Sequence, residues 1–142
     1  MLPIFAAILV ASGTPPPRPK LDLEGWQYLD VSSDAETLVA SRPGSSPGWL
    51  WVRFEFKSPY VIGAKSYGST MSLYEADCVG ERLRTHKSMN YPRANIGGVP
   101  DSLDFVSAWA IVAPTTLGES IFQRACGREP DSSAPPAPLS AR

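Results

Sequence analysis

Hydrophobic and polar positions alternate most clearly between Trp49 and Lys57, which predicts a β-strand. Side chains alternate between the two faces of a strand, so one face of this segment is apolar: Leu50, Val52, Phe54 and Phe56. The opposite face is aromatic at one end and charged at the other: Trp49, Trp51, Arg53, Glu55 and Lys57. This division is typical of an antiparallel sheet that is covered mainly on one side.

Shorter hydrophobic runs predict the other strands. They lie at residues 26–31, 37–42, 65–74, 75–83 and 105–112, and turn or loop compositions stand at residues 32–35, 43–48 and 95–100. Residues 84–91 either continue the strand at 75–83 or form another strand after a bend. We therefore expect an α+β fold, with an antiparallel β-sheet of about six strands and a C-terminal α-helix packed on it.

The predicted helix covers residues 116–126, where apolar positions recur with helical spacing: Leu117, Ile121 and Ala125 in one row, Phe122 and Cys126 in the next. Thr116 and Glu119 have the spacing of a capping box. In this motif the Thr side chain accepts a hydrogen bond from the backbone N–H three residues later, and the Glu side chain accepts one from the backbone N–H of the Thr. Gly127 can supply the left-handed C-terminal cap. A helix of about eleven residues is marginal alone in water, so we expect it to dock on the sheet.

The chain has two cysteines, one in a predicted strand and one at the end of the helix. In an exported protein, we expect Cys78 and Cys126 to form one disulfide that holds the C-terminal helix on the sheet. Closing a loop of about 49 residues is worth on the order of 4 kcal/mol by the chain-entropy argument. On an ideal strand Cys78 would share a face with Arg82 and Arg84, so we expect a bulge at Gly80 to shift the register.

The two ends of the chain differ from the domain between them. Residues 1–13 form an uncharged apolar run, which predicts a signal peptide, with a buried N-terminal strand as the alternative. Residues 14–20 read as a proline-rich linker and residues 128–142 as a disordered tail rich in Pro, Ser and Ala. Residues 21–127 are then the single folded domain.

The formal net charge of −1 gives no electrostatic case for nucleic acid or for an anionic membrane as partner. The apolar run at residues 1–13 is also too short to span a bilayer, which takes about 20 residues.

No catalytic constellation stands out. His86 and Cys78 could form a base and a nucleophile, but a disulfide explains the cysteine better because a nucleophilic thiolate must stay free. One histidine and two cysteines fall short of a zinc site. We expect no enzyme activity, no cofactor and no metal.

The best candidate binding residues are Trp49, Trp51 and Arg53, whose residue types are enriched in protein interfaces. The alternative is that both tryptophans pack under a loop or under the proline-rich arm. A basic cluster follows along the chain, and it reads as a solvated strand edge that discourages aggregation: Arg82, Arg84, Lys87 and Arg93.

Several of these features occur in a familiar order: Trp26 with a hydrophobic strand, then Asp77-Cys78 with basic residues after it, then Tyr91 and a glycine-rich loop, then the run from Trp109 to Pro114, and last Cys126-Gly127. This order resembles the surface-adhesin protein E family of Gram-negative bacteria. The resemblance covers nearly all of residues 25–127. It implies an antiparallel sheet with a C-terminal helix held by a disulfide, and an outer-surface adhesin that binds host extracellular-matrix and plasma proteins.

We therefore expect an exported, periplasmic or secreted, non-catalytic binding module of the protein E type. Its partners are expected to be proteins of the envelope or outside the cell, with no nucleic acid and no membrane span. The alternative is a structural or stress-related accessory protein of the cell envelope that has no specific ligand.

Overall fold

The computed structural model describes residues 19–31 and 37–128. The signal peptide expected at residues 1–13, most of the linker expected at residues 14–20 and nearly all of the expected tail lie outside the described residues, so those expectations stay predictions.

Seven strands form one antiparallel sheet: β1 (Gln27–Val31), β2 (Thr37–Pro43), β3 (Trp49–Ile62), β4 (Lys65–Asp77), β5 (Arg82–Tyr91), β6 (Asp101–Asp104) and β7 (Ala110–Ile111). Strands β1 to β6 follow one another across the sheet in chain order, and β7 pairs with β5 beyond the end of β6. Helix α1 (Leu117–Ala125) comes last and packs on the sheet. The predicted α+β architecture is confirmed.

The division of the chain into strands after residue 64 was wrong in two places. Residues 65–77 form one strand, and the reversal comes at residues 78–81, where the Asp77 carboxylate accepts a hydrogen bond from the Gly80 N–H. Residues 105–109 are not a strand, because the edge beside β5 is built from two short pieces, β6 and β7. All four residues of β6 are exposed, so no burial pattern marks this strand in the sequence.

The bulge expected at Gly80 is likewise wrong. Asp77 pairs directly with Arg82 across the turn, which places Arg82 and Arg84 on the face that α1 does not cover. The register shifts instead between Leu73 and Tyr74 of β4. Leu73 pairs with Lys87 and Tyr74 pairs with Thr85, so His86 is the extra residue of a bulge on β5.

The core lies between α1 and the sheet, and it includes the apolar face predicted for β3. Its buried members are Val39, Leu50, Val52, Leu83, Ile121 and Phe122. Cys78 and Cys126 form the expected disulfide at the end of α1, and it spans 48 positions of sequence. The bond joins the β4–β5 turn to the helix end, so the helix is fixed to the sheet covalently as well as by packing.

The ends of α1 agree with the predicted caps except in one bond. The Thr116 side chain accepts a hydrogen bond from the Glu119 N–H, as expected for the N-cap. The Glu119 carboxylate, however, accepts from the Thr115 N–H at 2.7 Å, one residue before the position that a capping box uses. Gly127 follows the helix with a φ of 67°, in the left-handed region that favours glycine.

Candidate functional site

All four tryptophans of the chain lie on the sheet face opposite α1. Trp49 and Trp51 alternate along β3 with the core residues Leu50 and Val52, so their side chains point away from the helix. Each tryptophan is neither fully buried nor fully exposed. We call this surface the tryptophan face and define it by its tryptophans and the accessible arginine and histidine side chains against them: Trp26, Trp49, Trp51, Trp109, Arg42, Arg82, Arg84 and His86.

Trp109 lies over two arginines of β5. The guanidinium carbon of Arg84 is 4.3 Å from the centroid of the indole ring, and that of Arg82 is 5.2 Å away. Both contacts are within the range of cation–π attraction. Because Trp109 belongs to the irregular segment between β6 and β7, these two contacts hold that segment against the sheet.

Trp49 and His86 form a second aromatic contact, with ring centroids 4.3 Å apart. The His86 ring reaches the Glu75 carboxylate through Nε2, and the Arg84 Nε donates to the same carboxylate oxygen at 2.6 Å. The hydrogen bond from Arg84 is the main cause that holds the pKa of Glu75 below its usual range. Glu75 therefore stays ionised and links the two aromatic contacts through one carboxylate.

Trp26 makes the third contact, with Arg42 at 4.6 Å and Arg53 at 5.6 Å from the ring centroid. The side chain of Arg53 is only 3% exposed and forms an ion pair with Glu55 at 2.6 Å. Arg53 also donates to the Asp22 carbonyl at 2.8 Å and to Asn95 Oδ1 at 3.2 Å. Of the three candidate binding residues, Trp49 and Trp51 thus stay partly accessible, while Arg53 holds covering segments onto the sheet.

The basic cluster expected along β5 is largely neutralised by neighbouring carboxylates. Three of its members form ion pairs: Arg82 with Asp77, Arg84 with Glu75 and Lys87 with Asp104. A surface whose cations already have carboxylate partners has little net field for a charged ligand. Along β5 the tryptophan face is therefore an aromatic surface whose arginines are paired with carboxylates.

A separate cleft of about 290 Å³ lies on the helix side, between the start of α1 and the edge of β5. Tyr74, Thr85, Ser107 and Val112 are among its lining residues. Burial raises the pKa of the Tyr74 phenol above its ordinary value. The volume is at the lower limit for small-molecule sites, and we assign the cleft no ligand.

The alternative of a Cys78 nucleophile with a His86 base requires a free thiol at Cys78, and the structure contains none there. Cys78 is bonded to Cys126, so it cannot act as a nucleophile with His86 as its base. Among residues 19–31 and 37–128, no group of three or more His, Cys, Asp or Glu side chains is placed to hold a metal ion.

The alternating pattern of β3 predicted that Trp49 and Trp51 lie on one face. It did not predict that Trp26 and Trp109 lie on the same face. Trp26 reaches it through a segment without regular structure, and Trp109 through the irregular segment before β7. The available signal was the two-residue spacing of Arg82 and Arg84, which places both guanidiniums on one face for an aromatic ring to cover.

In a comparison with known proteins, the family model described as surface-adhesin protein E matches residues 26–127. No curated protein and no solved structure matches the chain significantly. In the described part of the chain, no helix has the length and apolar character needed to cross a membrane. The family match and the disulfide fit an exported protein. Because the match covers more than half of the sequence, the chain belongs to the surface-adhesin protein E family.

Proposed function

We propose that this chain is an exported, non-catalytic module that binds protein partners through the tryptophan face. The observation that carries the proposal is the collection of all four tryptophans on one side of the sheet, three of them against arginine or histidine side chains. Tryptophan and arginine dominate the binding energy of protein interfaces, because they combine a large apolar area with directed polar contacts.

The geometry favours a protein surface over a charged polymer or a small molecule. The arginines of β5 are paired with carboxylates, so they act mainly as rigid supports for the Trp109 ring. Ordered aromatic side chains lose little conformational entropy when a partner covers them. The face is also part of a sheet rather than a closed pocket, which suits contact with another folded protein.

Membership of the family supports an extracellular or envelope partner, and we place the protein in the periplasm or outside the cell. A disulfide between a turn and a helix end is expected to persist only in an oxidising compartment. Host extracellular-matrix and plasma proteins are the first partners to test, because the family is described as a surface adhesin.

The test is a binding assay of the purified chain and its variants on immobilised extracellular-matrix and plasma proteins. Trp51→Ala and Trp109→Ala should each weaken capture by at least about tenfold, as is typical of interface hot spots. The thermal midpoint of Trp51→Ala should stay within a few degrees of wild type, because this side chain is not in the core. Trp109→Ala also removes the contacts that hold the segment between β6 and β7, so its thermal midpoint should fall further.

Tyr60→Ala provides the matched control, since Tyr60 is an exposed aromatic residue near the far end of β3 from Trp49. It should bind like wild type. Equal binding by all four proteins would contradict the role of the tryptophan face. A wild-type chain that binds none of these proteins would favour the alternative of an envelope accessory protein without a specific ligand.

A further inference from the structure

The chain before β1 lies across the face of the sheet opposite α1. The side-chain amide of Asn95 accepts a hydrogen bond from the Asp22 N–H at 2.8 Å and donates one to the Lys20 carbonyl at 3.0 Å. Arg53 of β3 donates to the Asp22 carbonyl at 2.8 Å. These three hydrogen bonds hold the backbone of residues 20–22 over the sheet, so the residues before Lys20 are tethered to this face.

The residues before Lys20 are rich in proline. Residues 14–19 have the sequence Thr-Pro-Pro-Pro-Arg-Pro, and the described part of the chain begins at Pro19. We call residues 14–19 the proline-rich arm. Proline fixes φ and has no N–H, so such a run predicts an extended polyproline II segment rather than a strand of the sheet. At about 3.1 Å per residue, residues 14–18 reach about 15 Å beyond Pro19.

Two members of the tryptophan face lie within this reach. Trp51 precedes Arg53 by two positions on β3 and Trp49 precedes it by four, so all three side chains lie on one face. At about 3.3 Å per residue, the two tryptophans are roughly 7 Å and 13 Å along the strand from Arg53. Because the arm is tethered beside Arg53, an extended arm of about 15 Å spans both indole rings.

Trp51 differs from the other tryptophans in its ring contacts. Each of the other three rings lies against an arginine or a histidine side chain. In the part of the chain that the structure describes, the Trp51 ring makes no aromatic or cation–π contact. Its partner across the strand pair is Leu73, which is half-buried on the same face. Trp51 and Leu73 thus form an apolar row beside the point where the arm is tethered.

The chemistry of this row fits proline. Polyproline II segments dock on surfaces lined by aromatic side chains, and they lose little entropy because proline has already set their extended form. The nearby arginines of β5 are paired with carboxylates, so the surface has little field to favour a charged segment.

We propose that the proline-rich arm docks on Trp51 and Trp49 of its own chain and covers that part of the tryptophan face. A short tether gives an effective concentration on the order of millimolar, which makes even a weak contact populated. One consequence rests on the proposed function: a protein partner must displace the arm, so its apparent affinity is reduced by the fraction of time that the face is open. The arm then acts as a built-in competitor of the partner.

Nuclear magnetic resonance of the purified full chain tests the docking directly. Nuclear Overhauser contacts should join protons of the arm prolines to the indole protons of Trp51 and Trp49. They should not depend on protein concentration, because the arm and its site belong to one chain. Absence of these contacts would overturn the proposal, and contacts that grow with concentration would show that a second copy supplies the arm, which also contradicts docking within one chain.

A variant of the arm adds a second readout. Pro15→Ser/Pro16→Ser/Pro17→Ser should shift the indole N–H signal of Trp51, because the ring loses its cover. A synthetic peptide of residues 14–20, added to this variant, should move the signal back toward its wild-type position. An unchanged Trp51 signal in the variant, or no response to the peptide, would contradict the docking.

The C-terminal segment offers a matched control, since it contains three prolines of its own. These prolines are farther along the chain from the last described residue than the arm prolines are from Pro19. Pro135→Ser/Pro136→Ser/Pro138→Ser should therefore leave the Trp51 signal in place. A shift in this variant without one in the arm variant would make the C-terminal segment the occupant, and the arm proposal would be wrong.

The binding assay on extracellular-matrix and plasma proteins separates this inference from the proposed function. If both hold, the arm variant should capture its partner several-fold more tightly than wild type. A docked arm in a chain that captures none of these proteins would support the docking and count against the proposed function. Capture that is equal in wild type and arm variant, with unchanged indole signals, would overturn the docking and leave the proposed function standing.

Discussion

The guanidinium of Arg53 and the carboxylate of Glu55 form an ion pair inside the face of the sheet that the helix leaves uncovered. The two side chains are 3% and 0% exposed. The Asn95 N–H donates to the other Glu55 oxygen at 3.0 Å, and Arg53 donates to the Asp22 carbonyl. One buried pair therefore holds both the chain before β1 and the loop after β5 on the sheet.

Removing the negative partner should be costly. We expect Glu55→Gln to lower the free energy of unfolding by about 3–5 kcal/mol, because it leaves the Arg53 guanidinium buried without a counterion. Urea unfolding monitored by circular dichroism measures this change. A loss below about 1 kcal/mol would show that water reaches Arg53 in solution.

An exposed ion pair supplies the control for that experiment. Lys65 and Asp101 pair at a similar distance, 2.9 Å, but their side chains are 65% and 47% exposed. Lys65→Gln should therefore leave the urea midpoint close to that of wild type. A large loss of stability in Glu55→Gln beside little change in Lys65→Gln would show that burial makes the Arg53–Glu55 ion pair important for stability.

The disulfide should be a major source of stability. We expect the double variant Cys78→Ser/Cys126→Ser to lose on the order of 4 kcal/mol, because the unfolded chain regains the freedom of the closed loop. Urea unfolding with and without dithiothreitol measures the loss. Reductant should destabilise wild type by a similar amount and leave the double variant unchanged; a shift in the variant would point to an effect unrelated to the bond.

Stability should fall in acid partly through Glu75. The Arg84 hydrogen bond, with His86 in support, lowers the pKa of Glu75 from its ordinary value of 4.5 in the folded protein. A carboxylate with a lowered folded-state pKa stabilises the fold above its unfolded pKa, and that contribution disappears as the pH drops through the folded pKa. Glu75→Gln should therefore flatten the loss of stability below about pH 4.5.

Urea midpoints measured from about pH 6 to about pH 3 will show this change in slope. Arg84→Gln removes the main partner of Glu75 and should flatten the same part of the profile. The two changes should not add in the double variant, because both remove one interaction. Additive effects would mean that Glu75 and Arg84 act independently.

The N-cap of α1 offers a smaller and more local test. Thr116→Ala should cost about 1 kcal/mol, since it leaves the Glu119 N–H without its side-chain acceptor. Thr116→Ser keeps the hydroxyl and should stay close to wild type. Thermal unfolding distinguishes the two, and equal losses would indicate that the threonine methyl group matters more than the cap.

How far sequence reasoning reached depends on whether an element has one buried face. The alternation in β3 and the four-residue spacing in α1 were sufficient to predict these two elements. Each element has a continuous row of apolar side chains, and the two rows pack against each other in the core. Strand β6 has no buried residue and gave no such signal. Local pattern therefore predicts the elements that face the core and misses those that only complete an edge.

The site was predictable only within a single strand. Trp49 and Trp51 follow from alternation, but the burial of Arg53 depends on a loop in which Asn95 and Ile96 have positive φ values of 59° and 47°. Asparagine adopts this conformation more readily than most residues, but it is rare for the β-branched Ile96, and no local pattern predicts it there. Contacts between segments far apart in the chain, as between Trp109 and Arg84, require the three-dimensional structure.

The position of the disulfide also sets an order in time. Cys126 comes after every strand, and strands β1 to β6 are neighbours both in sequence and in the sheet, so the sheet can form hairpin by hairpin as the chain emerges. Cys78 is thus made before its partner, and its thiol is open to exchange until the helix is in place. A chain cut short before Cys126 would lack the partner thiol, and its Cys78 would stay reactive.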